Sequence, residues 1–238
     1  TPIAPHADFR GKSNVSEYAD FLIQTDAAVG AITRALKDTK QAEDTIVIFT
    51  CDNGTSPKAN FAQLDAAGIH LNEHWRGWKA DAYEGGHRVP FIVRWPGRIK
   101  PGSRSAQTIT LADIMATCAD ALGHELPAGA AEDSVSLLPV LSGSEVDEPL
   151  HDIVVHHSVS GHFAIRKGEW KLLLCRGSGG WSPPREAFAA QQKFPPVQLY
   201  NLSDADLRRI VEQGRSTPGP QQANHAGAQW WPGLPWKK

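Results

Sequence analysis

Two neighbouring side chains with hard oxygen atoms follow an apolar run in the first quarter of the chain. The run at residues 45–50 reads TIVIFT and leads into Cys51-Asp52-Asn53-Gly54. Carboxylate and amide oxygens are the ligands that calcium and magnesium prefer, and an open α/β sheet usually binds its ligands at the carboxyl ends of its strands. The pattern therefore predicts that Asp52 and Asn53 ligate one divalent cation. An Asx turn is the alternative interpretation, because Asp-Asn-Gly is an ordinary turn sequence.

A lysine and a glycine-rich turn follow further along the chain. Lys79 offers a compact ammonium group, which can bind an anionic oxygen and stabilise developing charge, although most lysines are solvated at the surface. Glu84 and Arg88 flank Gly85-Gly86, and glycines permit close approach of the backbone. We predict that a Glu84–Arg88 ion pair fixes the loop that carries Lys79, and that these two residues support the site without contacting a ligand.

Histidine side chains provide further candidates. His156 and His157 end a predicted strand, where alternation points the two rings to opposite faces. We interpret this pair as structural, with His157 as a candidate substrate contact. His70 and His74 are four residues apart and could share a helical face, but no nearby Cys or third His completes a zinc site. His6 is predicted to be an exposed loop residue.

The elements that position these residues alternate helix and strand, which indicates an α/β fold. An apolar stripe at spacings of three and four predicts a crossover helix over residues 16–38. Residues 45–50 are predicted to form a central parallel strand that is apolar on both faces, and residues 89–95 another buried strand. A second helix is predicted over residues 110–122, ending at Gly123. The connection at residues 54–86 is long enough to be functional or to contain short helices.

The last third of the chain predicts a small antiparallel meander. Four short runs have β character, and turns at Ser160-Gly161 and Lys167-Gly168 separate the first three; the runs are residues 153–157, 162–166, 170–174 and 197–202. One further helix is predicted over residues 204–213. Gly, Ala, Pro, Ser and acidic residues dominate residues 123–150, so we predict two domains, at residues 1–147 and 148–238.

Composition limits the classes of partner. The chain has 238 residues, 41% of them hydrophobic, and a formal net charge of −2. Its basic residues are scattered, so the sequence predicts neither nucleic acid nor an anionic membrane surface as a partner. No apolar run approaches the roughly 20 residues of a membrane-spanning helix. The three widely spaced cysteines do not form a disulfide framework, and Cys118 and Cys175 are predicted to be buried thiols.

The order of the motifs resembles the arylsulfatase-type sulfatases of the alkaline phosphatase superfamily. The shared elements follow one another as in that family: the apolar strand, Asp52-Asn53-Gly54, Lys79, Glu84-Gly85-Gly86-x-Arg88-x-Pro90 and Trp95-Pro96-Gly97. The resemblance covers nearly the whole chain. It implies an α/β fold with a partial alkaline-phosphatase-like sheet and helices, followed by a small C-terminal antiparallel α+β subdomain.

The resemblance also implies a function. The expected reaction is hydrolysis of the sulfate ester of a carbohydrate or an aryl compound, with a formylglycine nucleophile and one calcium ion. Asp52 and Asn53 are then metal ligands, and Lys79 binds the sulfate group and acts in catalysis. The expected partner is a sulfated small molecule or glycan, and the family suggests a periplasmic or secreted location.

The nucleophile of the family has no counterpart among the three cysteines. None of Cys51, Cys118 and Cys175 stands in the Cys-x-Pro/Ala-x-Arg context that is converted to formylglycine. The chain begins at Thr1, and its single methionine is Met115. We therefore expect a fragment that is inactive alone, whose missing N-terminal half carries formylglycine and two further Asp ligands.

Two rival interpretations remain. The first is a related phosphoesterase, but such enzymes generally use two metals with extra His and Asp ligands, and residues 52–88 show no Asp-His pair. The second is a chain without catalysis, either a truncated sulfatase-like chain or a carbohydrate-binding module. The presence of an N-terminal half in the same protein would separate the second interpretation from an enzyme.

Overall fold

The computed structural model describes residues 3–73, 75–127, 129–144 and 146–202. Its helices are α1 (Glu17–Asp38), α2 (Phe61–Ala66), α3 (Asp113–Ala121), α4 (Leu138–Leu141) and α5 (Glu186–Gln191). Its strands are β1 (Val47–Thr50), β2 (Phe91–Arg94), β3 (Val154–His157), β4 (Phe163–Lys167), β5 (Trp170–Leu173) and β6 (Gln198–Asn201). Short 3-10 helices lie at Ala7–Phe9, Ala42–Asp44, Pro57–Ala59 and Glu84–Gly86.

The chain divides into two compact units. The first unit draws on residues up to Gly30, on Asn53–Val89 and on residues from Val155 onward, and the second on Ala31–Asp52 and Pro90–Val154. The division predicted between residues 147 and 148 stays a prediction. Among the described residues, no helix combines the length and apolar character that a membrane crossing requires.

Helix α1 confirms the first predicted helix. Ser16 Oγ accepts a hydrogen bond from Ala19 N at 3.2 Å, which satisfies one of the free amide groups of the first turn. The carboxylate of Asp20 accepts from Gly11 N at 2.6 Å and from Ser13 N at 2.7 Å, so it fixes the loop before the helix. Large apolar side chains of the helix stay exposed, namely Phe21, Leu22, Ile23 and Ile32. The periodicity therefore predicted the helix correctly without showing what covers its apolar face.

Strands β1 and β2 correct the predicted parallel sheet. They pair antiparallel in a two-stranded sheet, with Val47 opposite Arg94 and Thr50 opposite Phe91. All four residues of β1 are half-buried, and Ile92 of β2 is 61% exposed. The prediction of a central parallel strand and of a second buried strand was wrong. An apolar run predicts burial and leaves the direction of the strand open. That direction depends on the pairing with β2, which follows about 40 residues later, after the connection at residues 51–90.

Helix α3 of the second unit begins later than predicted because a buried carboxylate fixes its start. Asp113 Oδ2 accepts from Thr110 N at 2.6 Å, and Oδ1 accepts from Val135 N at 3.0 Å. His151 Nε2 lies 2.9 Å from both carboxylate oxygens of Asp113, which is fully buried. The predicted end holds, with Gly123 in the left-handed region at φ +68°. Cys118 of this helix is exposed, which contradicts the predicted buried thiol.

The predicted meander is confirmed in the first unit. The strand order is β3-β4-β5-β6, with Ile165 opposite Leu172 and Leu172 opposite Leu199 in antiparallel register. Leu173 and Cys175 belong to the apolar core beneath it, which also contains Ala82, Tyr83 and Ala164. Burial raises the pKa of the Cys175 thiol to about 12. The helix predicted over residues 204–213 lies outside the described residues.

The long connection at residues 54–86 contains short helices. Helix α2 and the 3-10 helix Pro57–Ala59 supply Leu64 and Ala59, which pack with Ala19 of α1 in a second apolar cluster of the first unit. Leu64 is fully buried. This cluster anchors the first part of the connection and leaves residues 75–90 to form the candidate site.

Candidate functional site

The turn after β1 is in direct backbone contact with the glycine-rich turn of the sequence. Gly54 N donates a hydrogen bond to Gly86 O at 2.9 Å. A Cβ atom at Gly54 would overlap the carbonyl oxygen of Gly85, so this approach requires glycine at position 54. The contact fixes the backbone next to Asn53 against the 3-10 helix Glu84–Gly86.

The side chains of Asp52 and Asn53 are free to act as ligands. Asp52 is exposed and Asn53 is half-buried. In the part of the chain that the structure describes, neither side chain has a hydrogen bond or an ion pair, so the hydrogen bonds of an Asx turn are not formed. A carboxylate and an amide oxygen suit calcium or magnesium. No group of three or more His, Cys, Asp or Glu side chains arranged for a metal occurs among residues 3–73, 75–127, 129–144 and 146–202.

Lys79 is tied to the same turn through its backbone. Its N–H donates to Thr55 O at 2.9 Å, two residues after Asn53. The side chain is half-buried, and its ammonium group has no ion pair or hydrogen bond within the described residues. Trp78 precedes it, with its ring 5.4 Å from that of Phe61. The geometry therefore holds an unneutralised cation in a partly desolvated place close in the fold to Asn53.

Glu84 is the centre of a buried ionic network. Its Oε1 lies 2.8 Å from Lys171 Nζ, and its Oε2 lies 3.2 Å from Arg166 and 3.3 Å from Arg88. Burial raises the pKa of the Glu84 carboxyl, but the Lys171 ammonium and the two guanidinium groups outweigh burial and lower the pKa to about 2. Glu84 is therefore ionised at neutral pH, and the network fixes the first residue of the glycine-rich 3-10 helix.

Lys171 was missed by the sequence analysis. It is only 1% exposed although it lies in strand β5, and burial lowers the pKa of its ammonium group against the opposing effect of Glu84. The available signal was strand alternation, because Lys171 and the core residue Leu173 fall on the same face of the strand. A charged residue on a core face needs a buried partner of opposite charge, and Glu84 is that partner.

Arg88 contacts an aromatic ring as well as Glu84. Its guanidinium carbon lies 3.9 Å from the ring centroid of Trp75, a distance typical of a cation–π contact. Arg88 Nε also donates to Glu84 Oε2 at 3.3 Å. Arg88 therefore connects the 3-10 helix to the segment that leads into Lys79.

The histidine pair of strand β3 separates as alternation predicts. His156 is half-buried and its ring lies against that of His87, with centroids 3.8 Å apart and the planes tilted by 50°. His157 is exposed and meets the Phe163 ring edge-on at 5.9 Å. Burial and the nearby Lys171 lower the pKa of His87 to about 4 and that of His156 to about 2. His87 and His156 are thus neutral in the fold, and His157 remains accessible.

The other predicted histidines lie apart from this network. His70 Nδ1 is 3.0 Å from Asp65 at the surface, and His74 lies outside the described residues. His6 is exposed and its Nδ1 accepts from Asp8 N at 3.4 Å. Within the described residues, neither His6 nor His70 has a hydrogen bond or ion pair with Asp52, Asn53 or Lys79.

Two carboxylates that the sequence analysis missed organise the Gly-Ser-Gly-Gly loop at residues 177–180. Asp81 accepts hydrogen bonds from Trp181 N and Ser182 N, and Glu186 Oε1 accepts from Gly177 N at 2.7 Å and from Gly179 N at 3.1 Å. Ser178 O accepts from Ala82 N at 2.8 Å. The loop therefore packs against the segment that follows Lys79.

The chain matches two family models. The model described as Sulfatase matches residues 2–124, and the model described as N-sulphoglucosamine sulphohydrolase, C-terminal, matches residues 73–178. The two matches overlap across Lys79 and the Glu84–Gly86 turn. The first match contains Asp52 and Asn53 as well.

Relatives and solved structures lead to the same family. An N-acetylgalactosamine-6-O-sulfatase of Bacteroides thetaiotaomicron is 38% identical over 72% of this chain and 34% of its own length. An arylsulfatase of Hemicentrotus pulcherrimus is 34% identical over 86% of this chain and 35% of its own length. A solved chain from work on glycosaminoglycan metabolism by Bacteroides thetaiotaomicron superposes with a TM-score of 0.70 and 33% identity, over 87% of this chain and 42% of that one.

The alkaline-phosphatase-like α/β class predicted from the sequence is confirmed by this structural likeness. The chain spans 34% to 42% of the length of these relatives. Its matches to the sulfatase family model and to sulfatase relatives agree with the motif order. The chain belongs to the sulfatase family.

Proposed function

We propose that the protein to which this chain belongs hydrolyses sulfate esters of carbohydrates. One observation carries the proposal: Lys79 presents an unneutralised, half-buried ammonium group, and its backbone is bonded to Thr55, next to the Asn53-Gly54 turn. A sulfate ester gains negative charge on its bridging oxygen as the S–O bond breaks. A fixed cation in a partly desolvated place stabilises that charge.

Lys79 has two roles in this proposal. Its ammonium group donates hydrogen bonds to a non-bridging sulfate oxygen, and this orients the sulfur for attack. It also stabilises the leaving oxygen as charge develops there. Because the ammonium group has no carboxylate partner in the described residues, its charge is available to the substrate.

Asp52 and Asn53 are proposed as ligands of one calcium ion. Their unpartnered oxygen atoms support this role, and the contact of Gly54 with Gly86 keeps the turn in place. A divalent ion held there neutralises negative charge on a bound sulfate group. Calcium takes about six to eight oxygen ligands, so we propose that further ligands come from residues outside these 238.

The nucleophile is also proposed to lie outside this sequence. None of the three cysteines stands in the sulfatase context, and the relatives are more than twice as long as the part that this chain matches. A formylglycine in an N-terminal half of the same protein would supply the attacking oxygen. The chain by itself is therefore proposed to be inactive, with that half as its partner.

A sulfated amino sugar is the substrate that we propose to test first. The relative at 38% identity is an N-acetylgalactosamine-6-O-sulfatase, and the solved chain at 33% identity comes from work on glycosaminoglycan metabolism. His157 is exposed at the end of β3, with its ring against Phe163, which supports its proposed role as a substrate contact. Its Nδ1 donates to Ser158 O at 2.8 Å, so Nε2 of the neutral ring can accept a hydrogen bond from a sugar hydroxyl.

The test is a hydrolysis assay on the full-length natural protein. N-acetylgalactosamine 6-sulfate and 4-nitrophenyl sulfate serve as substrates, with released sulfate or phenol as the readout. Lys79→Ala should lower kcat about 100-fold or more, as expected for loss of a group that stabilises transition-state charge. Lys58→Ala is the matched control, because Lys58 is an exposed lysine of the same unit, and it should leave kcat unchanged.

Three outcomes would reject the proposal. A full-length protein that releases sulfate from neither ester, yet binds sulfated oligosaccharides, is a binding module. Equal kcat for Lys79→Ala and Lys58→Ala would show that another residue stabilises the charge. Hydrolysis of 4-nitrophenyl phosphate in preference to the sulfate would indicate the phosphoesterase alternative.

A further inference from the structure

We propose that Asp81 is a positioning residue that holds the turn carrying Lys79 in the conformation that binds sulfate. The proposal rests on the proposed function, because Lys79 is its target. Asp81 is fully buried, and no cation pairs with it in the part of the chain that the structure describes. Burial of a carboxylate without a counter-charge costs free energy, so the hydrogen bonds that Asp81 accepts must offset that cost.

The carboxylate of Asp81 closes the turn around Lys79. Its Oδ2 accepts from Trp78 N at 2.9 Å, while Asp81 N donates to Trp78 O at 3.1 Å. Lys79 and Ala80 lie between these two residues, inside the closed turn. The reciprocal bonds therefore fix the backbone on both sides of Lys79.

The other carboxylate oxygen fastens this turn to a segment far along the chain. Asp81 Oδ1 accepts from Trp181 N at 2.8 Å and from Ser182 N at 3.0 Å. Hydrogen bonds of backbone amides to an ionised group are stronger than those to a neutral acceptor. The Lys79 turn is thereby held by a loop about 100 residues away in sequence.

Ala80 has a backbone conformation that is unfavourable for a residue with a side chain. Its φ is +83°, and a non-glycine residue in this region costs on the order of 1–3 kcal/mol. Ala80 O accepts from Val159 N at 3.0 Å, and a Cβ atom at Gly180 would overlap this carbonyl. The surroundings impose the conformation, and with it the direction in which the neighbouring Lys79 side chain leaves the backbone.

Three glycines shape the space around Asp81. A Cβ atom at Gly77 would lie 2.7 Å from Asp81 Oδ2, and one at Gly180 would lie 2.6 Å from Oδ1. A Cβ atom at Gly86 would overlap the Asp81 carbonyl oxygen. Gly86 also accepts the hydrogen bond from Gly54, so the packing around Asp81 extends to the turn next to Asn53.

A comparable carboxylate elsewhere in the same unit provides the matched control. Asp20 is 4% exposed and accepts from Gly11 N and Ser13 N. It fixes a loop that does not contain Lys79. Asp81→Asn and Asp20→Asn therefore remove the same charge from the same kind of backbone site, and only the first change acts on the Lys79 turn.

The experiment compares these variants in the full-length natural protein with 4-nitrophenyl sulfate as the substrate, normalised to the folded fraction from circular dichroism. Asp81→Asn should lower kcat about 100-fold, since a shift of about 1 Å at a catalytic group costs that much, and should also raise KM, because Lys79 binds the sulfate group before it stabilises the leaving oxygen. Asp20→Asn should keep kcat within twofold. A merely structural role would lower the folded fraction in both variants and leave the kcat of folded protein unchanged, which would overturn the proposal.

A second pair of variants keeps the test decisive if Asp81→Asn does not fold. Gly77→Ala places a methyl group against Asp81 Oδ2 and the Tyr83 side chain, whereas Gly68→Ala places one in open space at a similar φ, +77° for Gly68 and +83° for Gly77. Both variants carry the same backbone strain, and only Gly77→Ala displaces the carboxylate. Gly77→Ala should lower kcat at least tenfold more than Gly68→Ala does; equal kcat values would overturn the proposal.

Amide hydrogen exchange separates this inference from the proposed function. The Lys79 N–H is bonded to Thr55 O, and its exchange rate reports whether the turn is held. Asp81→Asn should raise that rate at least tenfold while Asp20→Asn leaves it unchanged, whether or not the protein hydrolyses sulfate esters. Absence of sulfatase activity in the protein of natural sequence would reject the proposed function alone. An unchanged exchange rate of the Lys79 amide in Asp81→Asn would reject the role of Asp81 alone.

Discussion

Lys171 Nζ lies 2.8 Å from Glu84 Oε1, although the two residues are 87 positions apart in sequence. The contact joins strand β5 to the 3-10 helix whose Gly86 holds Gly54. Because Lys171 is 1% exposed, the ion pair is shielded from solvent. The position of the turn next to Asn53 thus depends on a strand of the meander.

Removing the Lys171 ammonium should destabilise the first unit. Lys171→Met leaves Glu84 buried with only Arg166 and Arg88, and breaking a buried pair typically costs about 3–5 kcal/mol. We expect a loss of about 3 kcal/mol in the free energy of unfolding, because the two arginines compensate in part. Urea unfolding measures it, with Lys58→Met as the exposed control.

The double variant tests whether the two charges act as a pair. Glu84→Gln combined with Lys171→Met should lose less stability than the sum of the two single variants, since the double variant leaves neither member of the Glu84–Lys171 pair charged and without the other. Strict additivity in this double-mutant cycle would mean that the 2.8 Å contact contributes no coupling.

Acid should destabilise the fold below pH 6.5. Burial lowers the pKa of His87 from 6.5 to about 4 and of His156 from 6.5 to about 2. In this window the unfolded chain binds protons at both rings and the folded chain does not, so the free energy of unfolding falls as the pH falls. Glu84 acts in the same direction only below pH 4.5, where the carboxyl of the unfolded chain binds a proton and that of the folded chain, with a pKa of about 2, does not.

Unfolding at several pH values from 7.5 to 5 isolates the histidine contribution. His156→Gln should flatten the dependence of stability on pH, whereas the exposed His124→Gln should not. A slope that persists unchanged in His156→Gln would assign the acid sensitivity to other groups.

Metal removal should abolish activity reversibly if Asp52 ligates calcium. We expect EDTA to inactivate the full-length protein and added calcium to restore it, because the ion supplies charge stabilisation. Asp52→Ala should weaken calcium binding at least tenfold in isothermal titration calorimetry. Asp44→Ala is the control, since Asp44 is an exposed carboxylate of the same unit. Equal calcium affinity in both variants would exclude Asp52 as a ligand.

Gly54 should not tolerate a side chain. In Gly54→Ala the new methyl group overlaps the Gly85 carbonyl, whereas in Gly143→Ala it meets open space at φ +82°. The second variant measures conformational strain alone, about 1–2 kcal/mol. We expect a larger loss of stability and faster amide exchange at Gly54 for the first variant. Because Gly54 is not at positive φ, unchanged stability of Gly54→Ala would mean that the two turns can separate without cost.

Local periodicity predicted much of the fold. The stripe of α1 and the turns at Gly161 and Gly168 depend on neighbouring residues, so the helix and the meander were predictable. The direction of β1 depends on Phe91–Arg94, and a distant partner leaves no trace in the run itself. Cys118 was wrongly predicted to be buried for a similar reason: apolar neighbours in sequence do not show which face of a helix is covered.

The candidate site divides along a similar line. Lys79 and the Glu84–Arg88 motif could be recognised because their order along the chain resembles a family. Strand alternation places Lys171 on the core face, but neither its partner nor the role of Asp81 could be read from the sequence, because their partners lie about 90 to 100 residues away. Backbone amides as partners, such as those of Trp181 and Ser182, have no side-chain signature at all.

The interleaving of the two compact units has a consequence for synthesis on the ribosome. The first unit takes residues up to Gly30, Asn53–Val89 and residues from Val155 onward, so its meander is translated after every residue of the second unit. Lys171, Trp181 and Ser182 are thus made after the loop that contains Lys79. Until those residues emerge, Glu84 lacks its contact with Lys171, and Asp81 lacks its hydrogen bonds from Trp181 and Ser182. The loop that contains Lys79 is then held only by partners close to it in sequence, such as Trp78 and Arg88.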